Sequence, residues 1–150
     1  YARWAENGSL TVTPGSTTDY ATIEQAILEV GQHIALQSVS FDAWQATYFA
    51  QRLEAAGLIP VETRMTTAFL STPMKELASL MRQRRIHFIG PTDVVRFCVG
   101  NVVSKQDPRG NDYPRKERPE AKIDAVTALL LALGRALVAP PPAGSDFVVI

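Results

Sequence analysis

The sequence predicts an α/β layered domain, and three observations carry that prediction. Apolar residues recur at three- and four-residue steps in several stretches, short apolar pieces of strand length fall between them, and glycine or proline punctuates most junctions. A chain of 150 residues buries one core and leaves little for a second large domain.

The first helix spans Asp19 to Leu36, where Ile23, Ile27, Val30 and Ile34 share a face and Thr18 or Asp19 offers a cap after Pro14 and Gly15. Gln37 to Phe41 alternates Val39 with Phe41 and reads as a strand. Ala43 to Ala56 then reads as a helix stopped by Gly57. Asp42 therefore falls at a strand-to-helix junction. Leu58 to Arg64 reads as a further strand, with Pro60 placing it at an edge or a strand start. Thr72 and Pro73 are expected to open a helix that runs to about Arg85 through Met74, Leu77, Leu80 and Met81.

Ile86 to Ile89 is a short extended piece, and Gly90, Pro91 and Thr92 introduce a helix carrying Val95, Cys98, Val99 and Val102. Residues 105–122 read as a mobile loop or loose hairpin with few apolar anchors, turning at Asn111 and Asp112. The last helix is placed at Glu120 to Val138, including the longest apolar run, Ala125 to Leu133. Ala139 to Pro142 breaks it. The apolar end, Phe147 to Ile150, is expected to add a strand or to hang loose. This gives one domain over 1–138 and a tail over 139–150.

Composition excludes several function classes. With 46% hydrophobic and 20% charged residues the chain has the balance of a soluble globular domain, and no apolar run approaches the roughly 20 residues that span a bilayer. The single cysteine, Cys98, forms no internal disulfide or thiolate metal knuckle, and its neighbours Phe97 and Val99 mark it as a buried structural thiol. His33 and His87 have no third ligand near them in sequence, which argues against zinc. No Gly-Lys-Ser/Thr phosphate loop occurs, which argues against an ATPase site.

Fifteen Lys and Arg balance fifteen Asp and Glu, so any attraction to a polyanion must come from local clusters. Arg82, Arg84 and Arg85 form one beside His87. Lys105, Arg109, Arg115, Arg118, Lys116 and Lys122 form another, which leads directly into Asp124. Asp42 and Asp124 each follow apolar residues and stand at a helix start. Both residues fit ligation of a hard divalent ion, and both fit helix capping or dipole compensation, Asp42 with Gln45 as a capping box.

Several pieces in order resemble the large terminase subunits of tailed bacteriophages. They are Tyr1-Ala2-Arg3-Trp4, Leu10-Thr11-Val12-Thr13-Pro14-Gly15 with Asp19-Tyr20, and Phe41-Asp42-Ala43-Trp44. Pro73-Met74-Lys75-Glu76-Leu77, Asn101-Val102-Val103 and Lys122-Ile123-Asp124-Ala125-Val126 continue the likeness across nearly all of 1–138. The resemblance implies the C-terminal nuclease domain, with a ribonuclease H-like fold in which a mixed sheet is flanked by helices. It also implies three clustered acids and two Mg²⁺ or Mn²⁺ ions that hydrolyse phosphodiesters. Asp42 and Asp124 match the family's second and third acids. No residue matches the first, so the chain resembles a nuclease domain without its first strands and is expected to cut DNA poorly by itself.

Lys105, Arg115, Lys116, Lys122, Arg82, Arg84 and Arg85 would then contact double-stranded DNA. Portal and small terminase subunit would be partners of a full-length protein in the host bacterial cytoplasm. The alternative is a catalytically incomplete ribonuclease H-like module that only docks DNA, portal or small subunit. Trp4 and Trp44 are read as packing residues.

Overall fold

The computed structural model describes residues 1–42, 47–138 and 147–149. Its elements in chain order are α1 (Ala2–Glu6), α2 (Tyr20–His33), β1 (Val39–Phe41), α3 (Thr47–Ala55), β2 (Pro60–Glu62), α4 (Thr67–Gln83), β3 (Ile86–Phe88), α5 (Asp93–Gly100), β4 (Val103–Gln106), β5 (Asp112–Arg115), α6 (Asp124–Ala136) and β6 (Phe147–Val149). The α/β expectation holds. Among the described residues the strands form three two-stranded sheets: β1 with β2 and β3 with β6, both parallel, and β4 with β5, antiparallel. The chain divides into two compact units, Val12–Arg64 and a larger one that joins Tyr1–Thr11 to Met65–Ile150.

In the smaller unit the Asp19 side chain caps α2, accepting from Ala21 N at 3.0 Å, Thr22 N at 3.2 Å and Thr22 Oγ1 at 2.7 Å. These bonds hold the Asp19 carboxyl below the usual carboxylate range, the Thr22 hydroxyl contributing most. The helix stops at His33, short of Leu36, because Ile34 is already extended. Tyr20 stacks on Phe49 of α3, and Arg52 donates through Nε to Glu24 Oε2 at 2.7 Å. Leu53 is fully buried beside this contact pair of helices. Gly57 ends the α3 region with φ of 82°, a left-handed conformation that glycine adopts without a Cβ penalty. The chain can then return parallel to β1 in the register Val39↔Pro60, Ser40↔Val61 and Phe41↔Glu62.

The larger unit holds the main core: Leu70, Leu77 and Leu80 of α4, Cys98 of α5, and Val126, Leu130 and Leu133 of α6. Burial of Cys98 agrees with a structural thiol. Helix α4 corrects one expectation, because it starts at Thr67 and carries Pro73 inside it. Thr66 supplies the cap, its Oγ1 accepting from Phe69 N at 3.1 Å. An internal proline costs about 3 kcal/mol and leaves the Phe69 carbonyl without its usual helical donor. Here the Pro73 ring is fully buried with Leu70 and Leu77, and tertiary packing offsets that cost. At the other end Arg84 takes the left-handed region (φ 56°, ψ 36°), and Arg85 N closes the turn on the Leu80 carbonyl at 2.9 Å.

The apolar tail does form a strand, β6, which lies parallel to β3 in the register Ile86↔Phe147. Helix α5 ends at Gly100, so Val102 lies beyond it and packs against the core from outside the helix. Helix α6 starts at Asp124 and not at Glu120, because the segment before it turns on its own bonds: Lys116 Nζ to the Pro119 carbonyl at 3.2 Å and Ala121 N to the Arg118 carbonyl at 3.1 Å. Trp4 packs on Phe97 with ring centroids 5.1 Å apart, as its reading as a packing residue requires. Trp44 lies outside the described residues.

Candidate nucleic-acid interface and carboxylates

Residues 103–115 form a hairpin, one of the two forms expected within 105–122, and polar bonds to α4 anchor it. Asp107 organises the turn: its Oδ1 accepts from Arg109 N at 2.8 Å and Asn111 N at 2.9 Å, and its Oδ2 accepts from Asn111 Nδ2 at 3.0 Å. Thr67 Oγ1, in the first turn of α4, donates to the same Oδ2 at 2.7 Å. The Asn111 side chain, with the other donors behind it, drives the Asp107 carboxyl far below the normal range for an aspartate. Asp112 is the first residue of β5 and no turn residue; its backbone N–H donates to the buried Ser71 Oγ at 3.1 Å, and its carboxylate meets Lys75 Nζ at 3.5 Å. The polar anchors come from α4, far away in sequence.

With the hairpin fixed, the segment after β5 wraps a cavity of about 620 Å³ lined by Arg115, Lys116, Glu117, Arg118, Lys122, Asp124 and the intervening small and apolar residues. Three of the expected DNA contacts, Arg115, Lys116 and Lys122, thus converge with Asp124 on one concavity. Four cations outnumber two acids there, so the cavity attracts anions despite the neutral total charge. Glu117, which sequence reasoning missed, shares the wall; its place inside a basic run gave no signal. Lys105 stands apart, exposed on β4 opposite Tyr113. Arg82, Arg84 and Arg85 sit at the end of α4 and do not line this cavity.

Asp124 is the first residue of α6 and is exposed, so its carboxylate faces solvent at the positive end of the helix dipole. The helix has no side-chain cap. Instead the Ile123 carbonyl accepts from both Thr127 N at 3.0 Å and Thr127 Oγ1 at 3.2 Å.

Asp42 belongs to the smaller unit and is half-buried directly after β1. The residue before it is fixed, since the Phe41 carbonyl accepts from Thr63 N at 2.8 Å and Thr63 is itself buried. The capping box with Gln45, and the Ala43-Trp44 part of the motif, lie outside the described residues. Among the described residues no three His, Cys, Asp or Glu side chains group as a metal site, and no helix is long and apolar enough to cross a membrane. Two carboxylates at a strand end and a helix start have the hard-oxygen chemistry that Mg²⁺ or Mn²⁺ selects, and exposed Asp124 leaves room for water and phosphate oxygens.

A family model described as "Terminase large subunit, endonuclease domain" matches residues 1–139. Protein YmfN of Escherichia coli (strain K12) is 34% identical over 140 residues, which cover 92% of this chain and 30% of that protein. The terminase large subunit of Enterobacteria phage HK97 is 30% identical over 149 residues, covering 98% of this chain and 29% of that one. The chain therefore spans less than a third of the length of these curated relatives. The crystal structure of the HK97 bacteriophage large terminase superposes with a TM-score of 0.79 at 29% identity, over 90% of this chain and 28% of that one. The large terminase nuclease from thermophilic phage G20c gives 0.61 at 17% identity, over 79% and 63%, a likeness of fold alone.

Proposed function

Because the chain belongs to the endonuclease-domain family of terminase large subunits and has their RNase H-like α/β fold, we propose that it supplies the DNA-cutting part of a phage packaging terminase. The substrate is concatemeric double-stranded DNA in the host cytoplasm, and portal and small terminase subunit are the partners of the longer protein. The observation that carries this reading is the cavity in which Arg115, Lys116, Arg118 and Lys122 surround Asp124. Such a wall neutralises phosphates without reading bases, which suits an enzyme that cuts with little sequence preference.

Asp42 and Asp124 would hold Mg²⁺ or Mn²⁺. When bound, two such ions activate water and stabilise the leaving oxygen of a phosphodiester. The chain's own contribution is to fix its carboxylates, Asp42 by the Phe41–Thr63 bond and Asp124 by the start of α6. Arg115, Lys116 and Lys122 hold the phosphate backbone at the cavity that Asp124 lines, and Lys105, Arg82, Arg84 and Arg85, which lie outside that cavity, would add further backbone contacts.

A second reading is a docking module without chemistry, in which the same cationic wall binds DNA and no ion is held. Supercoiled plasmid with Mn²⁺ separates the two. Cutting by a full-length terminase carrying this domain, abolished by Asp42→Ala and by Asp124→Ala, is the expected result. Unchanged cutting by either variant would sink the nuclease assignment of that acid.

A further inference from the structure

We propose that Asn101 is a positioning residue, which sets Lys122 and Asp124 against the phosphate-binding cavity. The inference rests on the reading of that cavity as a DNA site. Asn101 caps the C-terminus of α5, with its backbone N–H on the Cys98 carbonyl at 3.1 Å, and Cys98 is buried in the main core. It is therefore held on a rigid element. Its side-chain Nδ2 reaches across 21 positions of sequence to donate to the Lys122 carbonyl at 3.0 Å.

That bond falls where the chain most needs one. Helix α6 begins at Asp124 without a side-chain cap, and Ile123 before it is neither helical nor extended (φ −129°, ψ 11°). The direction in which Lys122 and Asp124 leave the loop is set by two consecutive carbonyls: Ile123, taken by Thr127, and Lys122, taken by Asn101. Thr127 belongs to α6 itself and ties the lead-in only to its own helix. Asn101 ties it to a different one. Without the carboxamide the loop 116–122 retains its internal turn bonds but can swing about the start of α6, carrying the Lys122 ammonium off the cavity wall.

The test measures salt-dependent binding of a short DNA duplex by the full chain, in wild type, Lys122→Ala, Asn101→Leu and the double variant. Leucine keeps the volume of asparagine without a donor. Leu53→Val, a substitution of a fully buried residue in the smaller unit, controls for loss of stability. Each phosphate contact contributes about 0.9 to the slope of log affinity against log salt, so Lys122→Ala should flatten it by about 0.9. Asn101→Leu should flatten it by a similar amount and the double variant by no more, whereas Leu53→Val should lower the melting temperature and leave the slope alone. An unchanged slope in Asn101→Leu, or additive losses in the double variant, would overturn the positioning role while leaving the cavity reading intact. No duplex binding by wild type, or no effect of Lys122→Ala, would overturn the cavity reading and the positioning role with it.

Discussion

Neutralising Arg115 and Lys116 together, as Arg115→Gln with Lys116→Gln, should remove half of the cationic wall around Asp124. Four Lys and Arg line that cavity. If each engages one phosphate, wild-type affinity falls with a log–log slope of about −3.6, and raising salt from about 50 to about 200 mM weakens binding roughly 150-fold. With two contacts left the slope is about −1.8 and the loss over the same range is roughly 12-fold. Fluorescence anisotropy with duplexes of unrelated sequence reads both numbers, and the weakening should be the same for all of them. A variant that retains the wild-type slope, or one that loses affinity for a single sequence, would refute the assignment of these residues to the phosphate backbone.

Other outcomes test the remaining structure. The chain alone, in which Asp42 and Asp124 are the two acids that resemble the family's, should nick plasmid poorly in Mn²⁺ compared with a full-length terminase; robust cutting abolished by Asp42→Ala would contradict this. Asp107 has a folded pKa depressed from its ordinary 3.8, so its contribution to stability is complete above that value and lost as pH falls below it. Urea midpoints measured downward from pH 5 should fall less steeply in Asp107→Ala than in wild type. Gly134→Ala would set a methyl 2.6 Å from the Phe69 ring, and overpacking of about 1–3 kcal/mol should outweigh the gain of about 1 kcal/mol in helix propensity. A higher melting temperature in that variant would show that Phe69 yields freely.

What the sequence made legible was mostly local. Asp19 reads as a cap because its acceptors lie two and three residues away, and Gly57 reads as a stop because its backbone needs a positive φ. The errors arise where distant contacts decide. Pro73 looks like a helix start, but full burial in the folded chain keeps it inside α4. Residues 105–122 look unattached because the groups that fasten them, Thr67, Ser71 and Lys75, lie some forty positions upstream. The site was legible in the same uneven way: the run from Arg115 to Asp124 is contiguous, so its convergence could be anticipated. No spacing in the sequence pointed to Asn101, whose partner is a backbone carbonyl with no side-chain signature.

The strand that follows the family-matched region has a consequence for how this fold tolerates change. β6 joins β3 through main-chain bonds, Phe147 N to the Arg85 carbonyl and Ile89 N to the Val149 carbonyl, both at 2.8 Å. Val148 points outward at 56% exposure, and of the strand's residues Phe147 reaches the core cluster. Main-chain pairing is indifferent to side-chain identity so long as no proline removes a donor. The strand can therefore drift at positions 148 and 149 and still seal the edge of β3, provided an apolar residue remains at 147. The pairing of β6 with β3 thus extends the architecture to residue 149, ten positions beyond the end of the family match at 139.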